Sequence, residues 1–182
     1  MMPADCFWLA PAMDALRRAQ RAARLGHALL IHADPGCGGE LLAAWATQLV
    51  LCRQRGAPCG ECRRCSAAMH PDVFAVQPTG DSKQIRVADV RDFCAELALT
   101  SHGGGYRVGV VAPADSLNAA AANSLLKTLE EPPPRTLIVL VSATPSRLPA
   151  TVRSRCVRLR VTAPGRTATF AWLGERGKTG DL

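Results

Sequence analysis

The residues whose types and spacing could do chemistry fall into two groups. The first is Ala33-Asp34-Pro35-Gly36-Cys37-Gly38-Gly39-Glu40, a glycine loop between the apolar run Ala28-Leu29-Leu30-Ile31 and an apolar helical pattern from Leu41 to Leu51. Strand, glycine loop and helix in that order frame a phosphate-binding P-loop, where a Lys and a Ser or Thr directly after the last glycine meet the phosphates and Mg²⁺. Those two positions hold Gly39 and Glu40. A carboxylate about 4 Å from a phosphate charge is opposed by roughly 4 kcal/mol at an effective dielectric near 20, although the same carboxylate suits the positive end of a helix. Gly36, Gly38, Gly39 and Glu40 thus read as a degenerate nucleotide loop or as a glycine turn of the kind any tight strand-to-helix reversal uses.

The second group is Cys52, Cys59, Cys62 and Cys65, spaced Cys-x6-Cys-x2-Cys-x2-Cys. Cysteine pairs two residues apart can turn both sulfurs to one point, and zinc takes four thiolates in a tetrahedron. Gly56, Pro58 and Gly60 supply turns, and Arg53, Arg55, Arg63 and Arg64 can offset the negative charge of such a site. A set of four Cys leaves no open position, so the metal expected here is structural zinc rather than catalytic; free thiols or a redox pair are the alternatives. Cys6, Cys37, Cys94 and Cys156 stand alone and read as packing residues.

These groups need a frame to hold them. The 182 residues suit one domain plus an appendage, and 48% hydrophobic residues with only 4% aromatics put the apolar mass in Ala, Leu and Val, as in helices and buried parallel strands. No run is long enough to span a membrane, the start Met1-Met2-Pro3-Ala4-Asp5-Cys6 is unlike a signal peptide, and eight Cys without an export signal argue against a disulfide framework. A cytoplasmic protein is expected. The net charge of +7 points either to an acidic partner such as nucleic acid or to solvated surface Arg. There is no aromatic stacking platform or recognition helix for independent DNA binding.

Periodicity predicts helices over 12–25 (closed by Gly26), 39–51, 87–99 and 119–130, the last stopped by Pro132-Pro133-Pro134, and strands over 28–32, 73–76, 106–111, 136–141 and 157–161. Such alternation with buried strands implies an open parallel α/β sheet with ligands beyond the strand C-termini.

Four features in this order resemble the AAA+ clamp-loader family of bacterial DNA polymerase III, most closely its delta-prime branch: Asn123-Ser124-Leu125-Leu126-Lys127-Thr128-Leu129-Glu130-Glu131-Pro132-Pro133, then Leu148-Pro149 followed by Ser154-Arg155-Cys156, the four-Cys insertion, and the P-loop itself. The resemblance spans about residues 8 to 164. It implies an AAA+ P-loop NTPase-like domain over 1–164, a parallel five-stranded sheet flanked by helices, with a four-Cys zinc module at 52–66 inserted after the P-loop helix. Residues 165–182 would be the start of a truncated lid or a disordered tail, with Phe170, Trp172 and Leu173 against the helix-breaking Gly174, Gly177 and Gly180, and the family's collar domain is expected to be absent from these 182 residues.

The resemblance also implies roles. The motor subunits of the family carry Lys and Thr where Gly39 and Glu40 stand, and a catalytic acidic pair where Ala112-Pro113 is expected, so neither intrinsic ATPase activity nor bound ATP is expected. Asp115 reads as a helix N-cap or turn residue, and Ser142 and Thr144, at the family's polar sensor position, as loop and cap residues. Arg155 of the serine-arginine-cysteine motif would act in trans as an arginine finger on a neighbouring ATPase subunit; by itself it reads equally as a solvated or salt-bridged charge. Lys127 and Glu131 form an i,i+4 pair of the surface-stabilising kind. Implied partners are the gamma/tau and delta subunits in a hetero-oligomer, and the sliding clamp and primed DNA through the assembled complex. The alternatives are a divergent motor ATPase that binds ATP through Gly36, Gly38 and the helix N-terminus, and a zinc-dependent interaction module with an incidental P-loop fold.

Overall fold

The computed structural model of the chain describes residues 5–54, 58–66, 70–79 and 83–175. Arg55 and Gly56 of the four-Cys segment, the first four residues, and Gly177 and Gly180 of the tail lie outside them. Five strands, β1 (Ala28–His32), β2 (Val73–Val76), β3 (Arg107–Val111), β4 (Thr136–Ser142) and β5 (Val157–Arg160), form one sheet in the order β2-β3-β4-β1-β5 with all neighbours parallel. The helices are α1 (Ala10–Arg21), α2 (Gly39–Leu51), α3 (Arg63–Ser66), α4 (Val87–Ala98), α5 (Ala119–Glu130), α6 (Ala150–Arg153) and α7 (Arg166–Glu175).

β4 is central and every one of its seven residues is buried, as a parallel strand covered on both faces requires. Its period-two alternation sends Leu137, Val139 and Val141 into the core shared with α1 and α2, and Ile138 and Leu140 into the core shared with α4 and α5. β1 divides in the same way, with Leu29 and Ile31 on the first side and Ala28 and Leu30 on the second. α5 buries Ala121, Ala122, Leu125 and Leu129, one face of a 3.6-residue period. It starts where the Asn118 side-chain oxygen accepts from the Ala121 N–H at 2.9 Å, a cap worth about 1 kcal/mol, and ends before three prolines that cannot continue it.

The first helix differs from expectation. It runs from Ala10 to Arg21, preceded by a 3₁₀ turn at Phe7–Leu9, and ends before Gly26, with Ala23 taking the left-handed conformation at φ 53°. α7 runs through Gly174 and docks on the N-terminal segment: the Trp172 indole N–H donates to the Asp5 carbonyl at 2.6 Å, and its ring meets Trp8 edge-on at 5.3 Å. Among the described residues no helix is long and apolar enough to cross a membrane.

At the N-terminal end of β2 and β3, away from the glycine loop, Arg107 is buried beside buried Asp72 at 3.9 Å. Arg107 also donates to the Thr100 carbonyl and lies over the Phe74 ring, while Asp72 accepts from the His102 N–H. The pair anchors the sheet end through these contacts, although the buried Arg107 Nε meets no hydrogen-bond acceptor among the described residues, and neither residue lines the glycine-loop cavity.

Candidate functional site

The glycine loop leaves the C-terminal end of β1 and enters α2, the place where an open parallel sheet offers a ligand site. Gly36 and Gly38 have φ of 79° and 90°, left-handed values that only glycine adopts readily. The Cys37 N–H donates to the Asp34 carbonyl and the Leu42 N–H to Gly38, so the turn is closed by its own backbone. The N-terminal segment braces it from outside. The Trp8 indole N–H donates to the Cys37 carbonyl at 2.9 Å, and a methyl at Gly38 would meet Leu9 Cδ1 at 3.2 Å.

Beside the loop is a cavity of about 500 Å³. Among the described residues its charged lining is Asp34 and Glu40, and no Lys, Arg or His lines it. A triphosphate would therefore meet two carboxylates and no cation. Pro113, where the resemblance puts the catalytic acidic pair, also lines the cavity and offers no carboxylate.

Sequence reasoning singled out Gly39 and Glu40 but missed Ala33. In the P-loop pattern the first position is glycine and the seventh lysine; here they are Ala33 and Gly39. The two substitutions fit one another in space. A Cβ at Gly39 would lie 2.8 Å from the Ala33 Cβ and 3.0 Å from Val141 Cγ1, distances at which something must shift. The Ala33 methyl thus occupies the room a side chain at 39 would need. The signal was present in the sequence, in the alanine at the pattern's first glycine.

Of the two readings of Asp115, helix N-cap or turn residue, the turn is the one the structure shows, and Asn118 caps α5. Asp115 sits in a 3₁₀ turn after β3 and its carboxylate accepts from Ser142 Oγ at 2.6 Å, the Ala143 N–H at 2.7 Å and the Thr144 N–H at 3.1 Å. Three donors fix it to the turn after β4, and it does not line the loop cavity. Ser142 and Thr144 serve as its partners.

Arg155 follows α6 and is half-buried, away from the chain's own loop cavity. Its Nη2 lies 2.6 Å from Glu130 Oε1 of α5, and its Nη1 donates to the Thr151 carbonyl at 2.7 Å. Lys127 and Glu131 form no ion pair among the described residues; the carboxylate in use is Glu130. The Cys156 thiol of the same motif donates to the Val152 carbonyl, and burial pushes it up to about 11, so it stays protonated at neutral pH.

The four sequence-predicted cysteines converge. Their sulfurs all lie within 4.8 Å of one another, with separations of 3.7 Å (Cys52–Cys59), 4.0 Å (Cys52–Cys62), 3.9 Å (Cys59–Cys65) and 3.5 Å (Cys62–Cys65). A zinc tetrahedron with Zn–S bonds of about 2.3 Å has S···S edges of about 3.8 Å, so the donor set fits the metal. Hydrogen bonds from the Cys62 and Glu61 backbone N–H groups hold the Cys59 thiol down to about 6, while burial pushes Cys65 up to about 12. Zinc would replace these protons. α2 ends at Leu51 and delivers Cys52 directly; Gln48 Nε2 donates to the Cys65 carbonyl at 3.0 Å and fastens the module to that helix. Two of the flanking arginines also reach beyond the module: Arg53 donates to the Gly103 carbonyl, and a methyl at Gly103 would lie 2.7 Å from Arg64 Nη2. They tie the module to the loop before β3.

A family model described as "DNA polymerase III, delta subunit" matches residues 9–164. Among curated proteins, the DNA polymerase III subunit delta' of Pseudomonas aeruginosa is 43% identical over 86% of this chain and 48% of its own length. The same subunit of Escherichia coli is 41% identical over the same shares. The chain spans about half the length of these relatives. A crystal structure of a DNA polymerase III gamma subunit-related protein from Thermotoga maritima superposes with a TM-score of 0.66 at 21% identity, over 86% of this chain and 48% of that one, and shows the shared fold. With the family model covering the sheet, the glycine loop and the arginine motif together, the chain belongs to the DNA polymerase III delta-prime family.

Proposed function

We propose that the chain is the ATP-silent, delta-prime-type component of a clamp loader, assisting ATP-driven loading of the sliding clamp onto primed DNA in a cytoplasmic hetero-oligomer with gamma/tau and delta subunits. The observation that carries the reading is the loop cavity, lined by Asp34 and Glu40 with no cation, where the Ala33 methyl fills the space beside Gly39. The fold of a nucleotide site is kept and its phosphate chemistry is missing, so hydrolysis belongs to another chain.

In this reading Arg155 is the catalytic contribution. Its guanidinium lies outside the chain's own cavity, and a planar cation offered at a subunit boundary can stabilise charge on a γ-phosphate bound by a neighbour. Residues 1–164 form the P-loop-like domain and 165–182 the first part of a lid. Cys52, Cys59, Cys62 and Cys65 would hold a zinc ion, which supplies folding energy to a segment with few buried apolar residues.

Titration of the purified chain with ATP and Mg²⁺ tests the reading. No saturable binding in the micromolar range is expected. Micromolar binding would favour a divergent gamma/tau-like motor ATPase and overturn the proposal.

A further inference from the structure

A second, smaller cavity of about 240 Å³ opens at the other side of β1, where the sheet ends. β1 and β5 pair in register with Leu30 opposite Arg158 and His32 opposite Arg160. The strand period therefore turns His32, Arg158 and Arg160 to one face of the sheet, while Leu159 packs into the opposite core. Arg153, the last residue of α6, lines the same cavity, as does Pro145. Three arginines and a histidine thus surround one opening, and among the described residues no Asp or Glu lines it.

These arginines have no compensating carboxylates. The ion pairs of the described residues engage Arg17, Arg107, Arg155 and His102, and none includes Arg153, Arg158 or Arg160. Arg153 adds a second observation: its Nε is buried and meets no hydrogen-bond acceptor among the described residues. That atom is closed off from the cleft; it is the three guanidinium groups from two elements, paired with no carboxylate among the described residues, that make the opening a place for an anion. Protection of an edge strand from pairing accounts for charges on β5 itself. It does not account for Arg153, which comes from a helix.

The volume narrows the ligand. Pockets that enclose small molecules run to about 300–1,000 Å³, so this cleft accepts one anionic group while the remainder of its bearer stays outside. Among the described residues it also has no Phe, Tyr or Trp to stack a base. We propose that the cleft formed by Arg153, Arg158 and Arg160 binds a phosphodiester of a nucleic-acid backbone, with the rest of the strand lying along the outer edge of β5. Arginine forks match phosphate oxygens bidentately, and contacts of this kind position a nucleic acid without reading its sequence. The inference is independent of the silent glycine loop and of any action of Arg155 on a neighbour, because it concerns binding by this chain alone.

The test is fluorescence anisotropy of a labelled oligothymidylate with the full 182-residue chain, over a salt series. Three variants are compared: wild type, Arg153→Gln/Arg158→Gln/Arg160→Gln, and a control, Arg21→Gln/Arg24→Gln/Arg91→Gln, that removes the same charge from exposed positions elsewhere. Counterion release gives a slope of log K against log salt of about −0.7 per phosphate contact for single strands. The cleft variant is expected to bind at least tenfold more weakly with a slope shallower by about 0.7, and the control within twofold of wild type. Equal weakening in both variants would reduce the effect to diffuse charge and overturn the proposal, as would no binding by wild type or no change in the cleft variant. Calorimetry with inorganic phosphate at constant ionic strength is the second arm: saturable binding that the cleft variant loses, together with unchanged strand binding, would assign the cleft to a free anion instead. Should the triple variant unfold by circular dichroism, Arg153→Gln alone is read in the same way, with an expected slope change of about 0.7.

Discussion

Arg155 Nη2 and Glu130 Oε1 are 2.6 Å apart, joining the arginine motif before β5 to the end of α5. Both side chains are partly exposed, at 34% and 48%, and a pair of that exposure contributes about 0–1 kcal/mol to stability. Its consequence is directional: Glu130 and the Thr151 carbonyl hold two guanidinium nitrogens in one orientation. Arg155→Ala should therefore shift the melting temperature by a few degrees at most, leave assembly with clamp-loader partners intact, and lower ATP turnover of the reconstituted complex by tenfold or more. Arg155→Lys should fail similarly, since an ammonium lacks the planar fork. Glu130→Ala should reduce turnover less than Arg155→Ala. Unchanged turnover in complexes shown to contain the Arg155→Ala chain would remove the trans role.

The fit between Ala33 and Gly39 predicts that lysine cannot simply be put back. Gly39→Lys alone places a Cβ 2.8 Å from the Ala33 Cβ, an overpacking expected to destabilise by about 1–3 kcal/mol in urea unfolding. Ala33→Gly in the same chain should recover most of that loss. Only Ala33→Gly/Gly39→Lys/Glu40→Thr, which restores room and reverses the local charge, should gain Mg-ATP binding in a fluorescent-nucleotide titration. A Gly39→Lys chain as stable as wild type would show that the packing is not the constraint.

Much of this frame was legible in the sequence. α2, α5 and strands β1 and β2 begin and end where the pattern puts them, because Gly38, Asn118 and the prolines after Glu131 punctuate continuous apolar runs. The short helices at Arg63–Ser66 and Ala150–Arg153 were not legible: four residues carry no periodicity, and tertiary contacts hold them. Partners far apart in sequence were equally hidden. Local spacing pairs Lys127 with Glu131, yet the bond that forms is between Glu130 and Arg155, across the packing of α5 against α6. The partners of Asp115 were hidden for the same reason, since its three donors come from the turn after β4, 27 to 29 residues away.

The sulfur geometry predicts one equivalent of zinc after purification in reducing, chelator-free buffer. Cys62→Ser should lose it. Metal–thiolate bonds compete with protons, so zinc is retained at neutral pH and released as pH falls, a trend measurable with a chromophoric chelator. The sheet has its own two cores, so metal removal should erase hydrogen-exchange protection around Cys59–Cys65 while β1 and β4 keep theirs. Collapse of protection in β4 on chelation would show that the module supports the whole domain. Absence of metal would exclude the zinc reading.

Gly109 in β3 offers a test of the packing that sets the sheet against α4. A Cβ there would overlap Phe93 Cζ and lie 2.7 Å from Phe93 Cε2 and 2.9 Å from Leu97 Cδ1, so the strand is approached by a ring where any side chain would stand. Phe93 is buried between β3 and its own helix. Gly109→Ala is expected to destabilise by about 1–3 kcal/mol through overpacking. In the background Phe93→Leu, which shortens the intruding ring, the same alanine should be better tolerated, giving a coupling energy of about 0.5 kcal/mol or more in a double-mutant cycle. Additive effects of the two substitutions would mean that the ring is not what excludes a side chain at 109, and that α4 as a whole moves to admit it.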